Sequence, residues 1–453
     1  MTITPLFPHR RKSVAVIGAG ISGLGAAWAL RDVHDVTLFE KRERLGGHAN
    51  TVDIDYDGNQ IAVDTGFIVY NPLNYPNLIA LFDHLGVPSK QTDMSFGFSL
   101  GGDVEWCSNG LGGIFAQKRN LARPSFIAML RDLLRFNRQA PADLEAGHLR
   151  GITLGAYLAL RGFSDRFLRN YLLPMGAAIW SATEDDMRDY PAESFIRFFR
   201  NHRLMHLDRP QWRTVEGGSR AYVQRIAADL EGRVRLADPA KAVRRVPGGA
   251  EVQTTDGWQH FDEVILACHS DQARALLTDM DDDEAALLGA IRYSPNTAIL
   301  HRDPSLMPSR RAAHAAWNYV RDDAGSAPCV TYDMNRLQGI DRRYRLYVTL
   351  NPDRKPDPSL TFGEFQYDHP QFTTAAMAAQ RTFNRIQGPR QTWFAGAWLG
   401  YGFHEDGLRS GLRIALRLGG RIPWDFAEGD VDGGQWGSRQ TETALPAART
   451  AAE

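Results

Sequence analysis

One short segment restricts the fold more than any other. Residues 14–17, Val-Ala-Val-Ile, form a β-branched run, and Gly18, Gly20 and Gly23 follow at once in the spacing Gly-X-Gly-X-X-Gly. Ile21, Ser22 and the Ala-rich stretch to Leu30 have helix-forming composition. In a strand–turn–helix of this kind the first glycine permits the tight turn. The second lets a pyrophosphate approach the backbone, and the third lets the helix pack closely on the strand. The helix N-terminus then turns its unpaired N–H groups toward the phosphates. Glu40 lies twenty residues after Gly20 and ends the next predicted strand, where a carboxylate accepts bonds from a ribose. These features predict an α/β fold with a Rossmann-like dinucleotide-binding lobe.

A second glycine pair selects among dinucleotides. After Glu40 come Lys41 and then Arg44-Leu45-Gly46-Gly47-His48. The glycines let a backbone pass close to a pyrophosphate, and the arginine supplies fixed positive charge that a plain NAD dehydrogenase does not need. Next comes Asp64-Thr65-Gly66-Phe67, a short turn of the kind pressed against a flavin ring. Taken singly, Asp64 also reads as a turn cap. No second glycine fingerprint follows a strand, and Cys107, Cys268 and Cys329 are too far apart to form a redox pair. These absences speak against a nicotinamide-driven reductase, and the second glycine pair and the Asp64 turn resemble those of two-domain flavoproteins, which makes FAD the expected cofactor.

With 453 residues the chain is long enough for two lobes. The reading assigns 13–75, 214–290 and 390–424 to the FAD lobe, 76–213 and 291–389 to an inserted mixed α+β substrate lobe, and 1–12 and 425–453 to flexible tails. The helix beginning in "SFIAMLRDLLRFNRQA" takes Ser125 as its N-cap. A formal net charge of -1 gives no general attraction to nucleic acid. No window reaches the length needed to span a bilayer, and the three scattered cysteines fit a reducing, cytoplasmic setting. The isolated pair His202 and His206 is too sparse for a metal centre, so none is predicted.

Several segments together resemble the FAD-dependent amine oxidase and phytoene desaturase superfamily. Beyond the two glycine turns they are "TVEGGSRAYV", "KAVRRV", "DEVILACHS" and "WFAGAWLGYGFHEDGLRSGLRIA". The resemblance implies cofactor contacts at Val243, Ala267, Gly396, Ala397, Phe403, His404 and Glu405, in addition to the turn residues above. Ala397 stands where the superfamily often has Asp or Glu. No cysteine near the closing motif resembles a covalent anchor, so FAD is expected to be held non-covalently. "LLPMGAAIWS", "PQWRTVEGGSR", "FQYDHPQF" and "GFHEDGL" narrow the likeness. They are similar to the flavin domain fused to plant cyclopropane fatty-acid synthases and to the methylated fatty-acid desaturase of furan fatty-acid synthesis.

This likeness implies desaturation of an unsaturated or methyl-branched acyl chain, with a cyclopropane-synthase-like methyltransferase as partner. Trp180, Trp212 and Phe403 are candidates to line the substrate channel. His404, His369 and Tyr367 are the candidate catalytic side chains. "SFIRFFRNHRLMHL" mixes Phe with Arg and His, a pattern compatible with peripheral membrane contact as well as with a buried helix. Two competing readings stay open. One is an amine or amino-acid oxidase. The other is a non-catalytic binding protein such as the Rab escort and GDP-dissociation inhibitor proteins, which resemble this fold.

Overall fold

Five parallel strands build the nucleotide-lobe sheet in the computed structural model, which describes residues 10–206, 208, 210–322 and 328–429. Their order is Val234–Arg235, Asp35–Phe39, Ser13–Ile17, Glu263–Leu266 and Thr392–Phe394. The strand Ser13–Ile17 shows why its sequence is apolar from Val14 onward. Alternate side chains point to opposite faces, so Val14 and Val16 pack on helices while Ala15 and Ile17 pack on a three-stranded antiparallel meander. The helices are Ile21–Leu30 and the closing helix His404–Arg417, and glycines let them touch. A Cβ at Gly25 would lie 2.6 Å from Leu408 Cδ1, and one at Gly411 would lie 2.0 Å from the Ser22 carbonyl oxygen.

The second lobe is a seven-stranded sheet running Thr361–Gln371, Arg292–His301, Tyr347–Leu350, Cys329–Asp333, Trp317–Arg321, Phe96–Leu100, Val104–Cys107. The helices Pro124–Glu145, Leu173–Trp180 and Ala192–Asn201 cap it. Phe98, Trp106 and Tyr319 from the sheet share one apolar cluster with Phe126, Phe136, Phe195 and Phe199 from the helices. Among the described residues no helix is long and apolar enough to cross a membrane.

Three details depart from the sequence reading. The long cap helix starts with Pro124 inside it rather than with Ser125 as its cap, because proline fits the first turn, where no N–H is needed. Helix Pro76–Leu85, assigned by sequence to the substrate lobe, buries Leu78, Leu81 and Phe82 in the nucleotide-lobe core. Residues 425–429 are not a loose tail: Ala427 exchanges hydrogen bonds with the Asn77 side chain. At the other end, Arg11 pairs with Asp35; residues 1–9 and 430–453 lie outside the described residues. Of the two readings left open for "SFIRFFR", the buried helix holds: Phe195, Ile196, Phe198 and Phe199 are buried, so that helix presents no apolar face to a membrane.

Candidate functional site

The two glycine turns meet and leave a recess between them. Gly18 has φ +104°, and a Cβ there would lie 2.7 Å from the Ala267 carbonyl oxygen. At Gly23 a Cβ would lie 1.9 Å from the Gly18 carbonyl oxygen, so this glycine sets the closeness of helix to strand. Gly20 differs. Its backbone is extended (φ −73°, ψ −179°), and a Cβ there would have no protein atom within 4 Å. The Gly46 N–H donates to the Ala19 carbonyl (2.8 Å), and a Cβ at Gly47 would lie 3.0 Å from the Gly20 Cα. Backbone thus lines an open space at the start of helix Ile21–Leu30, which fits a pyrophosphate.

Glu40 and Arg44 support this recess from behind. Glu40 is buried and accepts from the backbone N–H groups of Ala19 and Arg42, both at 2.9 Å. The Arg44 guanidinium donates to the Gly47 carbonyl (3.0 Å), and its burial lowers its pKa. Ile21 and Ser22 sit in the contact with the closing helix, and Lys41 stays exposed. Val243 is fully buried with Phe39 and Val252 beside the first sheet.

A wall of aromatic and imidazole rings continues from the second turn. His48 lies 5.1 Å from the Tyr367 ring, 5.5 Å from His369 and 6.2 Å from His269. The Tyr367 hydroxyl bonds Thr65 Oγ1 (2.7 Å) and accepts from Asn50 Nδ2 (3.0 Å), tying a substrate-sheet strand to the FAD lobe. Nδ1 of His369 and Nδ1 of His269 are buried without a partner. Burial holds His369 down at about 4, and burial together with the neighbouring imidazoles keeps His48 well below its usual range. The wall therefore brings hydrogen-bonding nitrogens without charge at neutral pH. A Cβ at Gly66 would lie 2.1 Å from the His48 carbonyl oxygen, so only glycine lets this turn reach the wall.

His404 is the first residue of the closing helix and is locked in place. Its ring stacks on Phe67 with centroids 3.7 Å apart, and Nε2 lies 2.7 Å from the Tyr222 hydroxyl. Burial lowers its pKa to about 3, so it carries no proton at neutral pH. Its neighbours close turns. Glu405 accepts from the Asn77 N–H (3.1 Å), Asn77 Nδ2 (2.7 Å) and the Leu78 N–H (2.9 Å), capping helix Pro76–Leu85. Its carboxylate is thus engaged within the protein. Asp406 accepts from the N–H groups of Tyr401 and Phe403 (both 3.0 Å). The Gly396 N–H donates to Ser410 Oγ (2.9 Å), and Ala397 accepts from Gly400 and Gly402 within the same turn. Asp64 is buried and accepts from Ser219 N–H (2.9 Å), Thr51 Oγ1 (2.6 Å) and Gln338 Nε2 (3.0 Å).

Beyond the closing turn lies a cavity of about 310 Å³ between the seven-stranded sheet and its helical cap. Met94, Phe96, Met175, Ile179, Trp212 and Trp317 supply much of its lining, with His202 on one side. The His202 ring stacks on Phe198 at 3.8 Å and lies 5.9 Å from Phe403, which links the cavity to the closing turn. Trp180 Nε1 donates to the Tyr401 carbonyl (3.3 Å), so Trp180 braces that turn from a buried position. No group of three or more His, Cys, Asp or Glu side chains that could hold a metal ion occurs among the described residues.

Sequence reasoning missed His269, Asn50 and Tyr222. His269 had a readable signal: it falls just past the end of the strand that pairs with the first one, where open parallel sheets bind ligands. Asn50 and Tyr222 had none, because their partners are 317 and 182 residues away. Replacing Tyr367 by Phe is expected to lower stability by about 1 kcal/mol, the usual loss for one hydrogen-bonding hydroxyl. FAD content should be retained, as checked by urea unfolding and flavin absorbance.

Comparison with known proteins agrees with this geometry. The profile of the flavin containing amine oxidoreductases matches residues 21–304, well over half of the chain. A Mycobacterium tuberculosis protein named as a flavin-containing monoamine oxidase is 28% identical over 270 residues, covering 56% of each chain. The chain thus matches about half the length of that relative. Putrescine oxidase bound to putrescine superposes with a TM-score of 0.65 at 17% identity, covering 90% of this chain and 99% of the other. A CLA-producing fatty acid isomerase from P. acnes superposes with a TM-score of 0.63 at 17% identity, covering 90% and 98%. The chain belongs to the flavin-containing amine oxidoreductase family, and the cofactor of that family, FAD, fits its backbone-lined recess.

Proposed function

We propose that the protein oxidises an unsaturated or methyl-branched acyl chain, introducing a further double bond. The observation that carries this reading is the 310 Å³ cavity, whose apolar side of methionine, isoleucine, leucine and tryptophan suits an aliphatic chain, with Ser95, Ser108, Asn109 and Gln211 on its polar side. Its one carboxylate, Asp93, is paired with Arg336 (3.1 Å) and so offers little to an ammonium group. Bound FAD supplies the hydride acceptor for such a reaction. The chain's own residues hold that group in the recess, and they line an apolar approach to it through Phe403 and Trp212. The neutral imidazoles of His48 and His369 and the helix N-terminus at His404 offer hydrogen bonds to polar atoms of a bound ring. A cyclopropane-synthase-like methyltransferase would supply methyl-branched substrate.

The test is anaerobic mixing of FAD-loaded protein with unsaturated and methyl-branched phospholipids, and separately with a panel of amines. Loss of flavin absorbance is expected with the lipids alone. Bleaching by amines alone would establish the amine-oxidase reading instead, and failure to retain FAD at all would favour a binding protein.

A further inference from the structure

The helical cap carries a charge that the rest of the chain does not. Lys and Arg number 52 against 53 Asp and Glu overall, yet residues 110–170 hold ten Lys and Arg and only four Asp and Glu. Two of those four, Asp132 and Asp143, pair with Arg135 and Arg161, and the face keeps an excess of cations beyond those pairs. Helix Pro124–Glu145 sorts its residues by face. Phe126, Met129 and Phe136 enter the core. Ile127, Arg131, Leu134 and Arg138 recur at steps of three or four residues and are exposed together. An ordinary solvent face carries charges of both signs; this one alternates aliphatic and cationic side chains.

The apolar part extends beyond that helix. Of the eight large hydrophobic residues that the described chain exposes, five lie between 111 and 160, among them Leu111 (76%), Leu134 (69%) and Leu160 (76%). Leu121, Pro124, Ile127 and Arg131 share one shallow recess of about 350 Å³. Phe115 and Phe126 rings lie 6.1 Å apart, joining the long helix to the short helix Gly110–Ile114 that bears Leu111. Asn109, immediately before that short helix, lines the 310 Å³ cavity, so the patch reaches the cavity rim. On the far side, Arg135 donates to the Gly162 carbonyl (2.9 Å) and holds the Leu160 turn beside the long helix.

We propose that this face docks on an anionic phospholipid bilayer. Its leucines and isoleucine would enter the boundary between headgroups and acyl chains, while the arginines meet lipid phosphate charge. Charge complementarity singles out this occupant. No carboxylate pairs with Lys118, Arg131 or Arg138 among the described residues, so these cations are available to anions outside the protein. Exposed aliphatic side chains at this density mark an interaction surface rather than a solvated one. The contact deepens the acyl-chain reading and rests on it for purpose, since a cavity rim at the membrane shortens the path of a lipid-borne chain. Binding itself does not depend on turnover.

The experiment is co-sedimentation of full-length, FAD-loaded protein with vesicles of phosphatidylcholine, with or without phosphatidylglycerol. Affinity for the anionic vesicles is expected to exceed that for neutral ones by at least about tenfold, and to fall with added salt. The double variant Arg131→Glu, Arg138→Glu should lose at least about tenfold of that affinity. Ile127→Ser with Leu134→Ser should weaken binding to vesicles of either composition. All four side chains are exposed, so FAD content and melting temperature should be unchanged, which separates loss of docking from loss of fold. Equal binding to neutral and anionic vesicles, or anionic binding unaltered by the charge reversals, would overturn the proposal. So would a dimer in light scattering that Ile127→Ser with Leu134→Ser dissolves, since a second copy would then cover the patch. If lipids fail to bleach the flavin while vesicle binding persists, the acyl-chain reading fails and the docking surface stands.

Discussion

Gly20→Ala is expected to weaken FAD binding by about ten- to a hundredfold while leaving the apoprotein folded. The added methyl group would meet no protein atom within 4 Å, and the extended backbone at this position suits any residue. Protein stability should therefore change by no more than about 1 kcal/mol, the scale of losing a glycine at a helix N-cap. The methyl group would instead occupy the recess between the two glycine turns. Overpacking of about 1–3 kcal/mol against the pyrophosphate converts to the stated loss of affinity. Gly23→Ala supplies the contrast. Its methyl carbon would lie 1.9 Å from the Gly18 carbonyl oxygen and 3.1 Å from Ala267 Cβ, so helix and strand must separate. That variant is expected to lose about 3 kcal/mol of stability together with FAD affinity. Thermal melts of both apoproteins and FAD titrations distinguish the two. Unimpaired FAD binding by Gly20→Ala would show that the recess is not the pyrophosphate seat.

Acid is expected to unfold the protein near pH 5, well above the range where most carboxylates protonate. Burial holds His404 at about 3, and His202, His301 and His369 at about 4, each neutral in the folded state. In the unfolded chain a histidine titrates near 6.5. The folded pKa is depressed, so the unfolded state binds more protons as pH falls. The contribution is fully present above about 6.5 and is lost as pH drops toward the folded values. Each group costs about 1.4 kcal/mol per pH unit below 6.5, so four acting together cost about 8 kcal/mol by pH 5, comparable to an ordinary folding stability of about 5–15 kcal/mol. Urea midpoints of FAD-saturated protein across pH 7 to 4.5 measure this slope. His404→Gln should flatten it by about one proton, whereas a slope unchanged by that substitution would mean that His404 is already charged in the fold.

The nucleotide lobe was legible because its constraints are local. Glycine spacing, a preceding β-branched run and a following helix lie within seventeen residues; Gly18 and Gly23 answer to close protein atoms, while Gly20 faces open space. The closing motif was half legible. Asp406 follows the general preference for a carboxylate in the first turn of a helix. Glu405 gives no sign in sequence that it caps a helix more than three hundred residues earlier. The ring wall was legible only as separate candidates. His48, Tyr367 and His369 come from two lobes, and their convergence depends on the pairing of a long strand with its neighbour in the second sheet. Composition left one question open. "SFIRFFRNHR" and the helix from Pro124 both mix apolar and basic residues, and period alone does not tell which face meets a core. Packing buries the first against neighbouring helices and leaves the basic, aliphatic face of the second outside.

The central claim is an FAD-bearing site that opens on an acyl-chain cavity. It is tested most directly by a single anaerobic turnover with a phospholipid carrying an unsaturated or methyl-branched chain, followed by mass spectrometry of the released acyl groups. The account predicts one product lighter by two hydrogens for each flavin reduced, and none from saturated chains. Reduced flavin with unaltered acyl chains, alongside oxidation of an added amine, would contradict it.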